Sequence, residues 1–497
     1  MRAQLTTETA VLFNSFEYLL LFLPLVVCLY WALAGWNPRI AAVALVVASL
    51  FFYGYWSLRF IPILLFSVTV NFAAARWLVA SRHTGSEARR RAVLFGGLAF
   101  NVGLLGYFKY ADFFLANIGT ALGREFPALH LALPLGISFF TFQKIAFLVD
   151  CYKRKVASAN LLDYGLFVTF FPQLIAGPIV HHAEVMPQFA AVRHTGPNFE
   201  NIARGLFLIS VGLFKKVLLA DSLAVFADLG HHSYGDLTFF SAWVTTLAYT
   251  FQLYFDFSGY IDMALGSALM FNIELPANFR SPYRAVSIQE FWRRWHITLG
   301  RFLRDYVFIP LGGSRGALPA TLLNLFVTFL VGGLWHGASW LFVLWGSLHG
   351  AAMVVHRLWT ATEYRMPRWA GWALTFTFVS LTWIPFRATS WDGVKAIVAA
   401  LSGVNGIVLP ARLEPMLHGL AGPFGFGKWL TPFDNLLSGE AVLTLAISAV
   451  IAFGFPNSMD LAARRAHGWG RLAACCALFV ASYVFMGRPS SFLYWQF

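Results

Sequence analysis

The segment 322–346 reads LLNLFVTFLVGGLWHGASWLFVLWG and contains no Lys, Arg, Asp or Glu. About 20 consecutive apolar residues are enough for a helix to cross the hydrocarbon core of a bilayer. Comparable runs recur along the chain, and they predict about 11–12 spans of this length. The candidate spans lie near 17–35, 40–57, 60–80, 92–115, 131–149, 203–229, 237–260, 319–338, 341–358, 370–388, 439–455 and 471–487. The chain is therefore predicted to be an all-α polytopic membrane protein.

Composition supports this class. Only 12% of the residues are charged, whereas soluble domains carry about 25%. The net charge of +13 is expected of cytoplasmic loops that face anionic lipid. Basic and aromatic residues do not alternate along a soluble surface, so membrane lipid is the predicted partner and nucleic acid is excluded. The four cysteines show neither zinc-site nor disulfide spacing, and no metal site is predicted; they are Cys28, Cys151, Cys475 and Cys476.

The apolar stretch 161–180 is interrupted by Pro172 and by the pair Gly177-Pro178. Proline removes a backbone donor, and glycine permits a sharp bend. Irregular backbone is tolerated at membrane depth only where protein or water covers it. The stretch is therefore predicted to be a re-entrant or broken helix that lines a cavity.

Basic residues gather in a few loops, and their positions predict the orientation of the chain in the membrane. The strongest clusters are Arg82 with 89–91, then 153–155, then the region 280–315, and then Arg464-Arg465. The predicted spans place all of them on one side if 161–180 re-enters rather than crosses. That side is predicted to be cytoplasmic, which leaves both termini outside.

His336 lies inside the uncharged run 322–346. An ionisable residue at membrane depth is a functional-site hypothesis by default. The alternative is a neutral histidine that hydrogen-bonds to a neighbouring helix, and for a lone membrane histidine the two interpretations have about equal weight. A second histidine, His296, lies 40 residues upstream in FWRRWHITLGRFLRDY, within a dense group of arginines. Together the two histidines indicate an active site.

The region 252–315 concentrates charge that is costly in so apolar a chain. Within 287–309, aromatic and aliphatic residues alternate with arginines, which is typical of a helix lying at the cytoplasmic boundary. One interpretation is a simple interfacial anchor. The other is that the arginines bind phosphate groups, because a guanidinium matches two phosphate oxygens at once. The candidate donor-binding residues are Arg280, Arg293, Arg294 and Arg304.

Asp256 and Asp262 lie six residues apart in the same region. At that spacing they do not share one face of a helix closely. They are predicted to be partners for the arginines rather than a paired acid and base.

Several ordered blocks resemble the membrane-bound O-acyltransferase family, in particular its bacterial branch that acetylates exported polysaccharides. These blocks are LPLGISFFTFQ, FPQLIAGPIV, QLYFDFSGYIDMALG, NFRSPY, SIQEFWRRWHITLGRFLRDYVFIPLGG, GGLWHGASWLFVLWGSLHG and the terminal FLYWQF. The similarity spans nearly the whole chain and keeps its order. D-alanyl transferases of teichoic acid export share several blocks but resemble a shorter chain. The tail beyond about 390 favours the alginate O-acetylase type.

The resemblance implies a ring of membrane helices around a central channel, in a bacterial inner membrane. It implies one polytopic domain over 1–497, with a catalytic core near 131–358 and a helical extension near 390–497. It makes His336 the catalytic histidine and His296 the second functional position. The implied donor is a cytoplasmic acyl thioester, for which acetyl-CoA is expected, and no bound cofactor is implied. The acceptor is a hydroxyl of an exported polysaccharide or of a periplasmic acetyltransferase partner.

This chemistry suits the residues around His336. An imidazole with a reference pKa near 6.5 is largely neutral and basic at working pH, so it can take the proton of an attacking hydroxyl. Burial among Leu334, Trp335 and Trp340 is expected to disfavour its charged form. Gly332, Gly333 and Gly337 admit close approach of backbone to substrate, although close helix packing explains them equally well.

The other histidines are weaker candidates. Adjacent histidines such as His181-His182 and His231-His232 point different ways on regular structure, so a metal site is not expected without a third ligand. His349 is expected at most to line the same cavity as His336. A non-enzymatic alternative also remains at this stage, in which the buried histidine and the arginines form the pathway of a transporter.

Overall fold

The computed structural model describes residues 13–192, 195–410, 425–427, 439–463, 469–487 and 493. Helices dominate these residues, and the predicted all-α class is confirmed. The described strands are β1 (Val408–Pro410) and β2 (Gly425–Gly427), which pair in parallel. The predicted basic pair Arg464-Arg465 and all of the terminal FLYWQF except Leu493 lie outside the described residues.

The chain divides into two compact units, each built from segments that are distant in sequence. The first comprises Met1–Leu213, Tyr260–Ala277 and Ala462–Met486, and the second comprises Phe214–Gly259, Asn278–Leu461 and Gly487–Phe497. Neither unit coincides with the catalytic core expected near 131–358, and the single-domain boundary stays a prediction.

Ten helices of the first unit precede residue 214. They are α1 (Leu23–Trp36), α2 (Pro38–Trp56), α3 (Ile61–Ala80), α4 (Glu87–Leu105), α5 (Ala111–Leu122), α6 (Ile137–Tyr152), α7 (Leu161–Thr169), α8 (Phe171–Leu174), α9 (His182–Val192) and α10 (Phe199–Leu213). Proline in the first turn of α2 costs no hydrogen bond there, because this backbone donor would have no partner within the helix. The side chain of Asn37 caps α2 by accepting from two backbone N–H groups.

The remaining helices follow in chain order, and α12 and α20 contribute residues to both units. They are α11 (Asp221–His232), α12 (Phe239–Leu269), α13 (Ile288–Arg294), α14 (Ile297–Leu303), α15 (Leu318–His336), α16 (Trp340–Trp359), α17 (Arg368–Arg387), α18 (Trp391–Leu401), α19 (Gly439–Gly454), α20 (Ser458–Ala463) and α21 (Trp469–Phe485). Short π-helical segments occur at Glu17–Phe22, Gly106–Tyr110, Phe214–Ala220 and Arg304–Phe308, and 3-10 turns at Leu58–Phe60, Tyr234–Asp236 and Pro282–Arg284.

Six helical segments among the described residues are long and apolar enough to cross a membrane. They are Glu17–Trp36, Pro38–Trp56, Leu58–Ala80, Glu87–Leu122, Leu318–His336 and Trp340–Trp359. Two shorter apolar helices, Glu440–Gly454 and Leu472–Phe485, coincide with the last two predicted spans. A multi-pass membrane protein is confirmed, whereas the orientation and the ring of helices around a channel stay predictions.

The stretch 161–180 is a broken helix, as predicted. Helix α7 ends at Thr169, and Phe170 adopts ψ 111° before the single turn of α8 begins. The side chain of Gln173 donates to the carbonyl oxygen of Phe167 at 2.6 Å, and Ser49 Oγ accepts from the backbone N–H of Phe171 at 3.1 Å. These side chains therefore replace backbone partners that the break removes.

Helices α15 and α16 form a hairpin whose close packing depends on glycine. A Cβ placed on Gly333 would lie 2.4 Å from the carbonyl oxygen of Phe342, and one on Gly346 would lie 2.6 Å from that of Phe329. A Cβ on Gly337 would lie 2.1 Å from the Phe342 ring, and one on Gly332 would lie 3.1 Å from the Leu303 side chain. Helix packing therefore accounts for the three glycines around His336.

We expect Gly346→Ala to destabilise the protein by about 1–3 kcal/mol, because the new methyl group meets backbone that cannot move aside cheaply. Activity should fall with the folded fraction, since the hairpin carries His336. Gly96→Ala is the matched control, because a Cβ there meets nothing within 4 Å and alanine favours a helix by about 1 kcal/mol. Thermal unfolding in detergent measures both variants. Equal melting temperatures for the two variants would refute the packing argument.

Candidate active site

The segment predicted as one boundary helix over 287–309 is interrupted in the structure: α13 and α14 are separate short helices, and the π-helical segment Arg304–Phe308 follows α14. Helix α13 ends at Arg294, Trp295 and His296 leave the helical path, and α14 begins at Ile297. The apolar side chains pack inside the protein: Phe291, Trp292, Trp295 and Leu299 are each at most 9% exposed. A simple interfacial anchor would leave such side chains to lipid, so that interpretation is wrong.

Asn278 holds the chain at this break. Its Oδ1 accepts from the backbone N–H of Thr298 at 3.1 Å and from the Thr298 hydroxyl at 3.0 Å. Its backbone oxygen accepts from Ile297 N–H, and Arg280 N–H donates to the backbone oxygen of Arg294. The NFRSPY block is thereby bound alongside the second histidine block.

His296 is completely buried and lies in a left-handed backbone conformation, with φ 44° and ψ 53°. Non-glycine residues adopt this conformation rarely, and it is concentrated at functional sites. Its Nδ1 lies 3.2 Å from Asn278 Oδ1. That oxygen can only accept, so Nδ1 carries the proton and Nε2 carries the lone pair. Burial lowers the pKa of His296 to about 3, so the ring is neutral at working pH.

His336 is the last residue of α15 and is 2% exposed. Its ring makes T-shaped contacts with Trp345 at a centroid separation of 5.0 Å, with Phe386 at 5.1 Å and with Trp335 at 4.9 Å. Trp335 was expected here, whereas Trp345 and Phe386 were not. Trp340, also expected in this environment, is 54% exposed.

The two histidines share one neighbour. The Trp335 ring lies 5.9 Å from the ring of His296 and 4.9 Å from that of His336, with interplanar angles of 68° and 72°. Phe257 contacts His296 from another side at 4.9 Å. Two buried imidazoles around one indole form a compact apolar site, which suits a proton transfer that must exclude bulk water.

His349 has hydrogen bonds at both ring nitrogens. Trp292 Nε1–H donates to its Nδ1 at 3.3 Å, so Nε2 carries the proton and donates to the Thr382 hydroxyl at 3.0 Å. That hydroxyl in turn donates a hydrogen bond to the carbonyl oxygen of Val379 at 2.8 Å. The ring also lies 4.6 Å from Trp345, which contacts His336. His349 therefore supports the wall of the site.

The four arginines proposed for donor phosphates differ in their surroundings. Arg294 binds Glu290 Oε1 through Nε at 3.0 Å and Nη2 at 2.7 Å. Arg304 donates two hydrogen bonds to the carboxylate of Asp305, from Nε at 2.7 Å and from Nη2 at 3.1 Å. Arg280 and Arg293 are exposed. A donor phosphate would compete with a carboxylate at the first two arginines, and donor binding stays a prediction for all four.

Comparison with known proteins decides the family. Residues 100–384, more than half of the chain, match the sequence pattern of MBOAT, the membrane-bound O-acyltransferase family. The chain belongs to this family. It is accordingly an acyltransferase, and the transporter alternative is rejected. The two histidines around Trp335 both lie within the matched range.

Three relatives illustrate the range of the family. A protein named "Peptidoglycan O-acetyltransferase" of Helicobacter pylori is 42% identical, over 98% of each chain. One named "Probable alginate O-acetylase AlgI" of Azotobacter vinelandii is 39% identical, over 79% of this chain and 78% of its own. A "Teichoic acid D-alanyltransferase" of Streptococcus thermophilus is 25% identical, over 45% of this chain and 57% of its own.

Asp256 corrects a prediction made from sequence. Its carboxylate was predicted to pair with an arginine, but it forms an ion pair with Lys216 at 2.7 Å. It also accepts a hydrogen bond from the backbone N–H of Leu493 at 2.9 Å. Lys216 also pairs with Asp221 at 2.8 Å. All of the arginines in 280–315 follow α12 in the chain, whereas Lys216 lies before α11, in the π-helical segment Phe214–Ala220. Sequence spacing could not reveal this pairing.

His181-His182 gains a third polar partner that the sequence did not indicate. Asp150 Oδ2 lies 2.6 Å from His181 Nε2 and 3.5 Å from His182 Nδ1, while Lys155 lies 3.3 Å from Oδ1. Burial lowers the pKa of His182 to about 4, with the adjacent His181 adding to the shift. The sequence analysis did not expect a metal here because a third ligand was missing, and Asp150 removes that reason. The ammonium group of Lys155 nevertheless already neutralises the charge of the Asp150 carboxylate.

Two of the residues at this site were missed by the sequence analysis although each lies in a recognised block. Asn278 opens NFRSPY, and Trp345 lies in GGLWHGASWLFVLWGSLHG. From sequence alone, Asn278 is indistinguishable from an ordinary polar loop residue. Trp345 is one of 18 tryptophans, and no local pattern distinguishes it from the others. Phe386 lies beyond the matched range, where no local pattern marks it.

Proposed function

We propose that this membrane-bound O-acyltransferase moves an acetyl group from acetyl-CoA, on the cytoplasmic side of a bacterial inner membrane, to a hydroxyl of an exported glycan. The observation that carries the proposal is the pair of buried histidines around Trp335. The Helicobacter and Azotobacter relatives named for O-acetyl transfer match 79–98% of the chain at 39–42% identity, whereas the relatives named for D-alanyl transfer match 45–54% of it at 24–25% identity. Acetyl is therefore favoured over D-alanyl.

In the proposed reaction His336 acts as general base. The imidazole takes the proton of the acceptor hydroxyl while the hydroxyl oxygen attacks the thioester carbonyl carbon. The tetrahedral intermediate collapses with cleavage of the C–S bond, and the imidazolium returns the proton to the departing thiolate, which yields the O-acetyl ester and free thiol. General base catalysis of this kind contributes about 10²–10⁴ in rate, so positioning supplies much of the rest.

His296 acts as the positioning group in this proposal. With Nδ1–H bonded to Asn278, its neutral ring presents Nε2 as an acceptor, which suits it to receive a hydrogen bond from the acceptor hydroxyl. The same tautomer cannot donate from Nε2 to the thioester carbonyl oxygen. Orienting the acceptor is therefore the role that the geometry supports. The exposed Arg280 and Arg293 remain the first candidates for the phosphates of the donor.

Reconstitution tests the proposal. Purified protein in sealed vesicles receives radiolabelled acetyl-CoA on one side, and glycan oligomers are enclosed on the other. We expect labelled glycan and one free thiol per acetyl ester, with no transfer from a D-alanyl thioester. If the label reaches glycan only when a periplasmic acetyltransferase is enclosed as well, the acceptor is that partner. If no acetyl group leaves acetyl-CoA with any acceptor, the proposal is wrong.

A further inference from the structure

Trp345 brings a hydrogen-bond donor to the side of the catalytic histidine. It lies on α16, is 1% exposed, and its indole makes a T-shaped contact with the His336 ring at a centroid separation of 5.0 Å. Its Nε1–H is buried and has no hydrogen-bond partner among the residues that the structure describes. An indole nitrogen only donates, so this group needs an acceptor. Unpaired buried polar groups are rare in native proteins, and a catalytic role is one recognised reason for them.

The aromatic neighbours of Trp345 leave this donor unused. The closest is His349 at 4.6 Å, and its one lone pair, on Nδ1, already accepts from Trp292 Nε1–H at 3.3 Å. Trp383 stacks on Trp345 at 5.8 Å, and Phe386 lies at 5.2 Å. An indole nitrogen cannot accept, and a phenyl ring carries no nitrogen or oxygen. The donor at Nε1 is therefore available to a group that comes from outside the chain.

The backbone next to His336 carries a second N–H group. Gly337 follows His336 directly, is buried, and leaves the helical path with φ −167° and ψ 157°. Within the described part of the chain, no backbone oxygen accepts from its N–H. Backbone N–H groups and side-chain donors are the usual components of an oxyanion hole.

The contact between Trp345 and His336 suits acyl transfer. A base acts on the attacking oxygen while the oxyanion forms on the same carbonyl carbon, so base and donors must both lie within about 3 Å of the reacting atoms. A centroid separation of 5.0 Å allows both groups to reach one carbonyl group. Both side chains are at most 2% exposed, and a hydrogen bond to a developing charge is stronger in such a site than in water.

We propose that Trp345 is a catalytic residue whose Nε1–H, together with the N–H of Gly337, binds the carbonyl oxygen of the acyl thioester as an oxyanion hole. When the acceptor oxygen bonds to the carbonyl carbon, the π electrons of C=O move onto the carbonyl oxygen. The two N–H groups donate to this O⁻ without transferring a proton, and the electrons re-form C=O as the C–S bond breaks. His296 presents an acceptor and cannot play this part. The proposal rests on the proposed function and adds the group that stabilises its intermediate.

Trp345→Phe removes the N–H and keeps an aromatic ring. We expect kcat per folded molecule to fall about 10²–10³-fold, the usual loss for one oxyanion-hole donor. The KM values for acetyl-CoA and glycan should change little, because this hydrogen bond is strongest in the transition state. Replacement of Trp345 by benzothienylalanine, which has sulfur in place of the N–H and keeps the bicyclic shape, is the second variant if phenylalanine prevents folding. Wild-type kcat in that variant would overturn the proposal.

Trp383→Phe is the matched control. Trp383 is also 1% exposed, and its ring packs against Trp345 at 5.8 Å and Trp295 at 5.1 Å. The same substitution there removes comparable packing but leaves the donor beside His336 in place, so kcat per folded molecule should stay near that of wild type. Equal losses of kcat in the two phenylalanine variants would assign Trp345 a packing role and overturn the proposal.

Infrared spectroscopy of the bound donor tests the oxyanion hole without turnover. Full-length His336→Ala protein in detergent receives acetyl-CoA with and without ¹³C at the carbonyl carbon, and the isotope difference isolates the thioester C=O stretch. Hydrogen bonds to a carbonyl oxygen weaken the C=O bond, so we expect a lower wavenumber than for free acetyl-CoA. Adding Trp345→Phe should return the band only part of the way, because the donor of Gly337 remains.

The two readouts separate the oxyanion hole from the proposed function. If Trp345→Phe leaves the wavenumber unchanged while protein with native His336 transfers acetyl groups to glycan, the oxyanion hole alone is wrong. If the wavenumber shifts in a manner that depends on Trp345 but no acetyl group reaches a glycan, the proposed function alone is wrong. An unshifted carbonyl band together with no transfer refutes both.

Discussion

His336→Ala is expected to lower kcat for acetyl transfer by about 10²–10⁴-fold, the usual contribution of a general base. The acetyl-CoA KM should change little, because the ring is predicted to act on the acceptor proton rather than on the donor. His336 is 2% exposed and packed against Trp345 and Phe386, so the deletion leaves a small cavity. Size-exclusion profile and melting temperature must therefore be compared with those of wild type.

The matched control is His356→Ala. His356 also belongs to the α15–α16 hairpin but lies near the far end of α16, which begins at Trp340 and ends at Trp359. It should retain wild-type kcat. Loss of a general base costs at least about 100-fold in rate. A folded His336→Ala protein that keeps more than about a tenth of wild-type activity would therefore show that His336 is not the general base.

Asn278→Ala is expected to lower both stability and activity. The substitution removes one oxygen that receives three hydrogen bonds, from Thr298 N–H, the Thr298 hydroxyl and His296 Nδ1–H. Leaving such buried donors unpaired costs about 2–5 kcal/mol in total. It also frees the His296 ring to change tautomer, so kcat should fall about 10²-fold or more, as expected when a reacting group is mispositioned.

A buried asparagine outside the site separates these two effects. Asn71 and Asn101 donate to each other's side-chain oxygens at 3.2 and 2.6 Å, in the first unit. Asn71→Ala should therefore lower the melting temperature comparably while the folded fraction keeps wild-type kcat. If Asn278→Ala and Asn71→Ala lose activity equally per folded molecule, Asn278 has only a structural role.

Helix existence was predictable, whereas helix continuity was not. The uncharged run 322–346 predicts membrane helices unambiguously, since twenty apolar residues have few other stable environments, and α15 and α16 occupy it. The two prolines and Gly177 in 161–180 likewise predicted a break. In contrast, 287–309 has a helical pattern, and its interruption at His296 depends on Asn278, which approaches from an earlier loop.

Polar partners were the least predictable part of the site. Asp256 was assigned to arginines because they are the nearest cations along the chain beyond it, yet Lys216 binds it at 2.7 Å. His349 was a weak candidate for the cavity, yet Trp292 and Thr382 hold both of its ring nitrogens. Such pairings depend on which helix faces pack together, and the local sequence does not indicate which faces these are.

The amino-acid sequence alone determined that this chain is an all-α, multi-pass membrane protein and an acyltransferase, because uncharged apolar runs and ordered motif blocks are local properties. It also singled out His336 and His296. Only the tertiary structure brought both rings to Trp335 and assigned the proton of His296 to Nδ1 through Asn278. These features arise from contacts between residues far apart in the chain, where burial and hydrogen bonding select one arrangement from many.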